Sequence, residues 1–215
     1  MSVSRINKSE VVDLLKYVGK EMIANRDVFQ ELDARWGDGD LGNTTKRGFS
    51  AINEKIDEWS DLSLSEILKK VGTTFNRAAA STCGVFFATS FIEAAKEVKG
   101  KGAIDVATLC KAMKAATQGV VDRGDAEVGD KTLLDALAPS AEAVCEAKNQ
   151  DLSLDTAVEK AERAAAKGVK NTEGMTPKQG RGSWLGEEAV KVQDPGAKFV
   201  HLFLLHCEEY INEPE

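Results

Sequence analysis

Apolar residues recur at helical spacing along most of the chain. From Glu10 to about Ala24, the residues Val11, Leu14, Leu15, Val18 and Met22 fall on one stripe, which predicts an amphipathic helix. A second helix is predicted over Val28–Trp36, stopping at Gly37, and a third from Thr44 to Trp59. Ser65 reads as the cap of a short helix carrying Ile67, Leu68 and Val71. Phe86–Val98 reads as a helix stopped by Gly100, and Asp105 caps one with Val106, Leu109 and Met113 on its apolar face. Thr132–Ala147 follows, kinked or restarted at Pro139. Leu154–Val169 is alanine-rich and helical. Asp194 and Pro195 supply an N-cap and a first helical position, opening a last helix, Ala197–Ile211, whose FVHLFLL run predicts burial. The pattern yields about eight helices and no convincing strand. Short connections make neighbouring helices antiparallel.

Three polar, glycine-bearing stretches interrupt this pattern: GDGDLGN, VDRGDAEVGDKT and KNTEGMTPKQGRGSW. Chemistry concentrates in such loops. No linker or repeat divides the 215 residues, so one domain over 1–215 is expected. No apolar run reaches the roughly 18 residues of a membrane span, and the N-terminus lacks a secretory h-region. A cytoplasmic protein without a membrane partner is expected. Net charge is -7 with no basic patch, which argues against nucleic acid. An acidic protein that binds phosphates needs a device against repulsion, and bound cations are the obvious one. Cys83, Cys110, Cys145 and Cys207 form no CxxC pair, so zinc is not expected. They read as small hydrophobes in a reducing cytosol.

Asp33, Asp38 and Asp40 lie five and then two residues apart, with Gly37, Gly39 and Gly42 letting the chain fold back. Three carboxylates held together repel, and a hard cation resolves that repulsion. Magnesium takes oxygen ligands and commonly bridges carboxylates to substrate phosphates. The loop alone fits a solvated glycine–aspartate turn equally well. An EF-hand fails on spacing: with Asp38 at position 1, position 6 is Asn43 and position 12 is Phe49. The stretch GDAEVGDKT approaches a Walker A loop, but Asp130 intrudes before Lys131 and a helix precedes it.

Taken in order, LDARWGDGDLG, VGDKTLLDAL, GRGSWLGE and QDPGA resemble the nucleotide-binding L subunit of dihydroxyacetone kinases, the DhaL or DAK2 domain family. The resemblance spans residues 8 to 211. It implies an all-α, antiparallel eight-helix barrel with ADP or ATP and two magnesium ions at one end. It implies that Asp33, Asp38 and Asp40 are metal ligands. Around the nucleotide it implies Leu41, Gly42, Asn43, Thr44, Ser81, Thr82, Cys83, Gly124, Leu133 and Asp194, with Arg181 as a phosphate partner. A surface salt-bridge arginine is the other reading of Arg181. Trp184 reads as a packed aromatic, and Lys131 as either a phosphate contact or a solvated lysine. Leu41 replaces the family's histidine after GDGD. The family's GGxSG loop corresponds to Ala80–Gly84, where Gly84 alone remains glycine.

The resemblance further implies a phosphotransferase whose substrate, a triose or ketose, sits on a separate K subunit. Bound ADP is then rephosphorylated by a phosphohistidine M subunit, or ATP serves as donor. A homodimer is also implied. His201 and His206 read as structural, being five apart in an apolar helix. A non-catalytic, nucleotide-sensing subunit is the competing reading.

Overall fold

A computed structural model describes residues 2–35, 37–178 and 190–212. Helices dominate, as the apolar periodicity predicts. The chain forms α1 (Lys8–Ala24), α2 (Arg26–Ala34), α3 (Leu41–Asn53), a 3-10 turn (Ile56–Trp59), α4 (Leu64–Ala78), α5 (Thr82–Glu97), α6 (Val106–Gly124), α7 (Leu134–Asn149), α8 (Leu154–Thr172) and α9 (Pro195–Asn212). Among the described residues that makes nine α-helices where about eight were expected. No helix among the described residues is long and apolar enough to cross a membrane.

Two short strands correct the expectation of none. β1 (Arg5–Asn7) pairs antiparallel with β2 (Ala103–Asp105), with Ile6 opposite Ile104. Each strand runs straight into a helix cap. Asn7 closes a capping box with Glu10 at the start of α1, and the Asp105 side chain accepts the Thr108 amide at the start of α6. The ladder therefore clasps two helix origins side by side.

Local chemistry explains the other boundaries. Ser63, rather than Ser65, caps α4, because Glu66 stands at N3 and its carboxylate accepts the Ser63 amide in return. Ser65 instead donates to the Ala95 carbonyl at 2.6 Å, tying α4 to α5. Helix α7 runs through Pro139 without stopping. Proline supplies no amide to the Asp135 carbonyl one turn back, and α8 approaches that carbonyl closely: a Cβ on Gly168 would lie 2.1 Å from it.

Packing runs from α3 through α8 in sequence, each helix against the next; α9 then packs on α8 and on α1, and α1 packs on α3, so the succession closes. Such closure is the packing a barrel requires. The short α2 covers α3 and touches α9. Inside, aromatic rings from different helices meet around Phe49: Phe75 lies 5.2 Å away edge-on, Phe87 5.5 Å, and Phe199 6.2 Å in a stacked pose. Aromatic pairs at this spacing add to ordinary burial.

The cysteines depart from expectation. Cys110 on α6 and Cys145 on α7 form a disulfide, with Cα atoms 4.9 Å apart. The physical reason lies in the α6–α7 packing, which brings together two buried residues 35 apart in sequence. Cys83 and Cys207 are free.

Candidate functional site

The aspartate cluster sits where α2 ends and α3 begins. Asp33 is in the last turn of α2, and its backbone carbonyl accepts the Gly37 amide at 2.7 Å. Gly39 takes φ +67°, a conformation that favours glycine, and turns the chain back. The returning Leu41 amide donates to Asp33 Oδ2 at 3.1 Å. Asp38 and Asp40 thereby reach the first carboxylate, and oxygens of all three lie within 4.8 Å of one another.

These groups repel. Burial raises the Asp33 carboxyl above its ordinary range; the Leu41 amide opposes this, and the charges of Asp38 and Asp40 push it further up. Asp33 is half-buried, whereas Asp38 and Asp40 are exposed. One inward and two outward carboxylates fit a hard divalent cation that keeps part of its water.

The cluster opens on a cavity of about 740 Å³ that extends into the helical core. Asp33, Asp38, Asp40 and Leu41 line it, as do Ser81, Thr82 and Cys83 of the α4–α5 junction, Gly124 at the end of α6, Leu133 before α7, and Asp194 before α9. Segments remote in sequence thus face one space. Gly42, Asn43 and Thr44 are not part of that lining. Gly42 faces α2, where a Cβ would lie 2.4 Å from the Arg26 carbonyl. Thr44 is fully buried, and Asn43 is exposed on the outer side of α3 beside Lys46 and Arg47. Arg181 and Trp184 lie outside the described residues.

At the α4–α5 junction, Ser81 is the N-cap of α5 and accepts the Gly84 amide at 3.0 Å. The Thr82 and Cys83 amides, in the first turn, have no helical acceptor and suit an anion. Gly84 is the glycine this junction needs for packing, since a Cβ there would lie 2.3 Å from the Ala79 carbonyl. The Cys83 thiol is pushed up to about 12, first by burial and then by Asp33, Asp194 and Asp40. It is a neutral thiol at ordinary pH and a poor nucleophile.

The VGDKT stretch is built by two acids. Asp135 accepts the Gly129 amide at 2.6 Å through one oxygen and the Thr132 amide at 2.8 Å through the other. Asp130 accepts the Glu127 amide at 2.8 Å. Lys131 sits in the left-handed region at φ +61° and is only 2% exposed, so it is not a solvated lysine. The roles of Asp130, Asp135 and Lys131 escape sequence reasoning; the spacing of Thr132 and Asp135, typical of caps, is the one local signal.

Asp194 caps α9 by accepting the Ala197 amide at 2.6 Å, while its own amide donates to Thr172 Oγ1 at 2.9 Å. Burial pushes its carboxyl up to about 7, with Lys131 and the backbone amides pulling the other way. Both histidines have structural partners. His206 contacts Glu209 at 2.7 Å and Asn25 at 3.1 Å, and His201 contacts Glu162 at 3.0 Å.

The DAK2 domain model matches residues 35–209. The chain is 34% identical over 200 residues to the PEP-dependent dihydroxyacetone kinase, ADP-binding subunit DhaL, of Escherichia coli (strain K12), covering 93% of this chain and 94% of that protein. It is 30% identical over 179 residues to PEP-dependent dihydroxyacetone kinase 1, ADP-binding subunit DhaL, of Listeria innocua, covering 83% and 84%. The dihydroxyacetone kinase of C. freundii, crystallised in complex with AMP-PNP and Mg2+, superposes with a TM-score of 0.70 at 21% identity. That match covers 96% of this chain and 35% of the kinase chain, and it speaks for the fold. Since the domain model covers most of the sequence and full-length relatives share a third of its residues, the chain belongs to the DAK2 domain family.

Proposed function

We propose that this chain is the ADP- or ATP-binding subunit of a dihydroxyacetone kinase, or of a kinase for a related triose or ketose. The observation that carries the reading is the shared cavity. The three carboxylates open on the same space as the amide-bearing start of α5, Gly124, Leu133 and Asp194. Asp33, Asp38 and Asp40 would hold magnesium, in two ions on this reading. When bound, magnesium supplies charge neutralisation for nucleotide phosphates. The Thr82 and Cys83 amides and the Ser81 and Thr82 hydroxyls bind phosphate oxygens. Gly124 and Leu133 give the base an apolar seat, and Arg181 adds a fixed cation. Phosphoryl transfer asks mainly for alignment and charge stabilisation, which is what this set supplies.

The relatives matched over nearly their whole length are named as ADP-binding subunits, and one from Lactococcus lactis is named PTS-dependent. These names support a separate ADP-binding subunit; on this reading it is cytoplasmic, forms one domain over 1–215 and works as a homodimer. A separate K subunit presents the substrate, and a phosphohistidine M subunit rephosphorylates the bound ADP. Leu41 and the Ala80–Cys83 sequence favour one competitor, a nucleotide-sensing subunit without turnover.

Native mass spectrometry of the purified protein tests the binding half: retained ADP and magnesium are expected. Mixing with K subunits, dihydroxyacetone and either donor tests the transfer half. Binding without phosphate transfer in any such mixture selects the sensing subunit and ends the kinase reading.

A further inference from the structure

The ammonium of a buried lysine needs hydrogen-bond acceptors in place of water. Lys131 is buried, and its ammonium donates to two backbone carbonyls, Met175 at 3.2 Å and Val190 at 3.3 Å. These carbonyls mark the two ends of the stretch 176–189, which leads from α8 back towards α9. A direct backbone bond closes the same base, from the Gly174 amide to the Val190 carbonyl at 2.8 Å. The neighbouring residue grips one end a second time. Asp130 pairs with the Lys178 ammonium at 2.8 Å, and its carbonyl accepts the Lys178 amide at 3.2 Å.

The other side of this base leads to the cavity. Thr172, at the end of α8 and fully buried, accepts the Asp194 amide, and Asp194 starts α9. Lys131, Thr132, Leu133 and Asp194 all line the cavity. Among the described residues, the fields of Asp194 and Glu173 reach the ammonium. One buried cation therefore stands between two chain ends and the acid that begins α9.

We infer that Lys131 is a positioning residue for the nucleotide site: by satisfying the Met175 and Val190 carbonyls it fixes the base of 176–189 and, through it, the seat of Asp194. The inference rests on the proposed nucleotide-binding function. A lysine serving only as a phosphate charge would leave the base unaffected when removed. A positioning lysine, once removed, takes one donor from the Met175 carbonyl, leaves the Val190 carbonyl with the Gly174 amide, and loosens the base with no nucleotide present.

Hydrogen exchange on the full chain without nucleotide, with calorimetry of ADP–Mg2+ binding, separates these cases. For Lys131→Met, exchange at Gly174, Met175 and Lys178 rises about tenfold and ADP affinity falls about tenfold, the scale of one or two lost hydrogen bonds from a charged donor. The Leu41 amide, held by Asp33, keeps its exchange rate. Lys131→Arg, which can reach both carbonyls, restores most of both quantities. Lys178→Ala changes an exposed side chain and leaves the core intact. It loosens the same base through Asp130, with an expected loss of about threefold in each readout, and it carries the test alone if Lys131→Met does not fold. Unchanged exchange at 174–178 in the variant that folds overturns the inference, as does unchanged ADP affinity where the parent protein binds. A parent protein that binds no ADP instead removes the function on which the inference rests.

Discussion

Asp194 makes stability depend on pH in a direction opposite to that of most carboxylates. Its carboxyl moves from an ordinary 3.8 to about 7 on folding, first because of burial. Between those two values the native state keeps a proton that the unfolded chain has lost. Stability from this group therefore falls as pH rises from 3.8 to about 7, and stays flat above. At 1.36 kcal/mol per pH unit the whole window is worth about 4 kcal/mol, of which about 3 kcal/mol lies between pH 5 and pH 8. Asp194→Asn removes the titration while keeping a side-chain oxygen for the Ala197 amide, and asparagine caps helices as well as aspartate. Urea unfolding of both proteins at pH 5, 6, 7 and 8 gives the difference curve. The variant is expected to gain on the parent by about 3 kcal/mol across that range, with the change complete near pH 7. A difference that does not vary with pH would refute the reasoning. It would mean that Asp194 stays ionised in the folded chain, paired with Lys131.

Asp38→Asn is expected to weaken ADP–Mg2+ binding at least tenfold. It should also remove most of the ligand-linked stabilisation, roughly 2.7 kcal/mol at a hundredfold excess over Kd, with calorimetry and thermal melts as readouts. Cys83→Gly moves the α4–α5 junction towards the family's glycine-rich form and keeps the Ser81 cap; ADP binding is expected to survive, and complete loss in calorimetry would mean that this junction works differently. Reducing the Cys110–Cys145 bond, or substituting Cys145→Ala, is expected to lower stability by about 3 kcal/mol in urea titrations. Four free thiols in unreduced, denatured protein would show that the bond does not form.

The helical class is legible because apolar residues repeat at helical spacing and because caps are local. Asp105 and Asp194 start helices where the sequence says so. The cap of α4 is legible too, but only through Ser63 and Glu66 together, since Ser65 looks equally suitable by itself. The β1–β2 pair is not legible: three-residue strands have no period, and their pairing joins residues about a hundred positions apart. The disulfide escapes for the same reason, because its two halves meet only through the packing of α6 on α7. At the site, the aspartate spacing and its glycines announce the carboxylate cluster. The inward turn of Gly42 and Thr44 does not follow from their neighbours, because it depends on where α2 lies. The burial of Lys131 depends on Met175 and Val190, which no local pattern links to it.

The closed succession of helices also sets an order of assembly. Neighbours from α3 to α8 are neighbours in sequence, so their contacts close short loops and form early and fast. The contacts of α9 with α1 and α2 join opposite ends of the sequence and pay the largest loop-closure entropy. Asp33 belongs to the first part of the chain and Asp194 to the last, and they share the cavity only after that step. A chain with every other helix in place but α9 undocked has no complete site, so gain of nucleotide binding during refolding reports the final closure and should lag the recovery of helix signal.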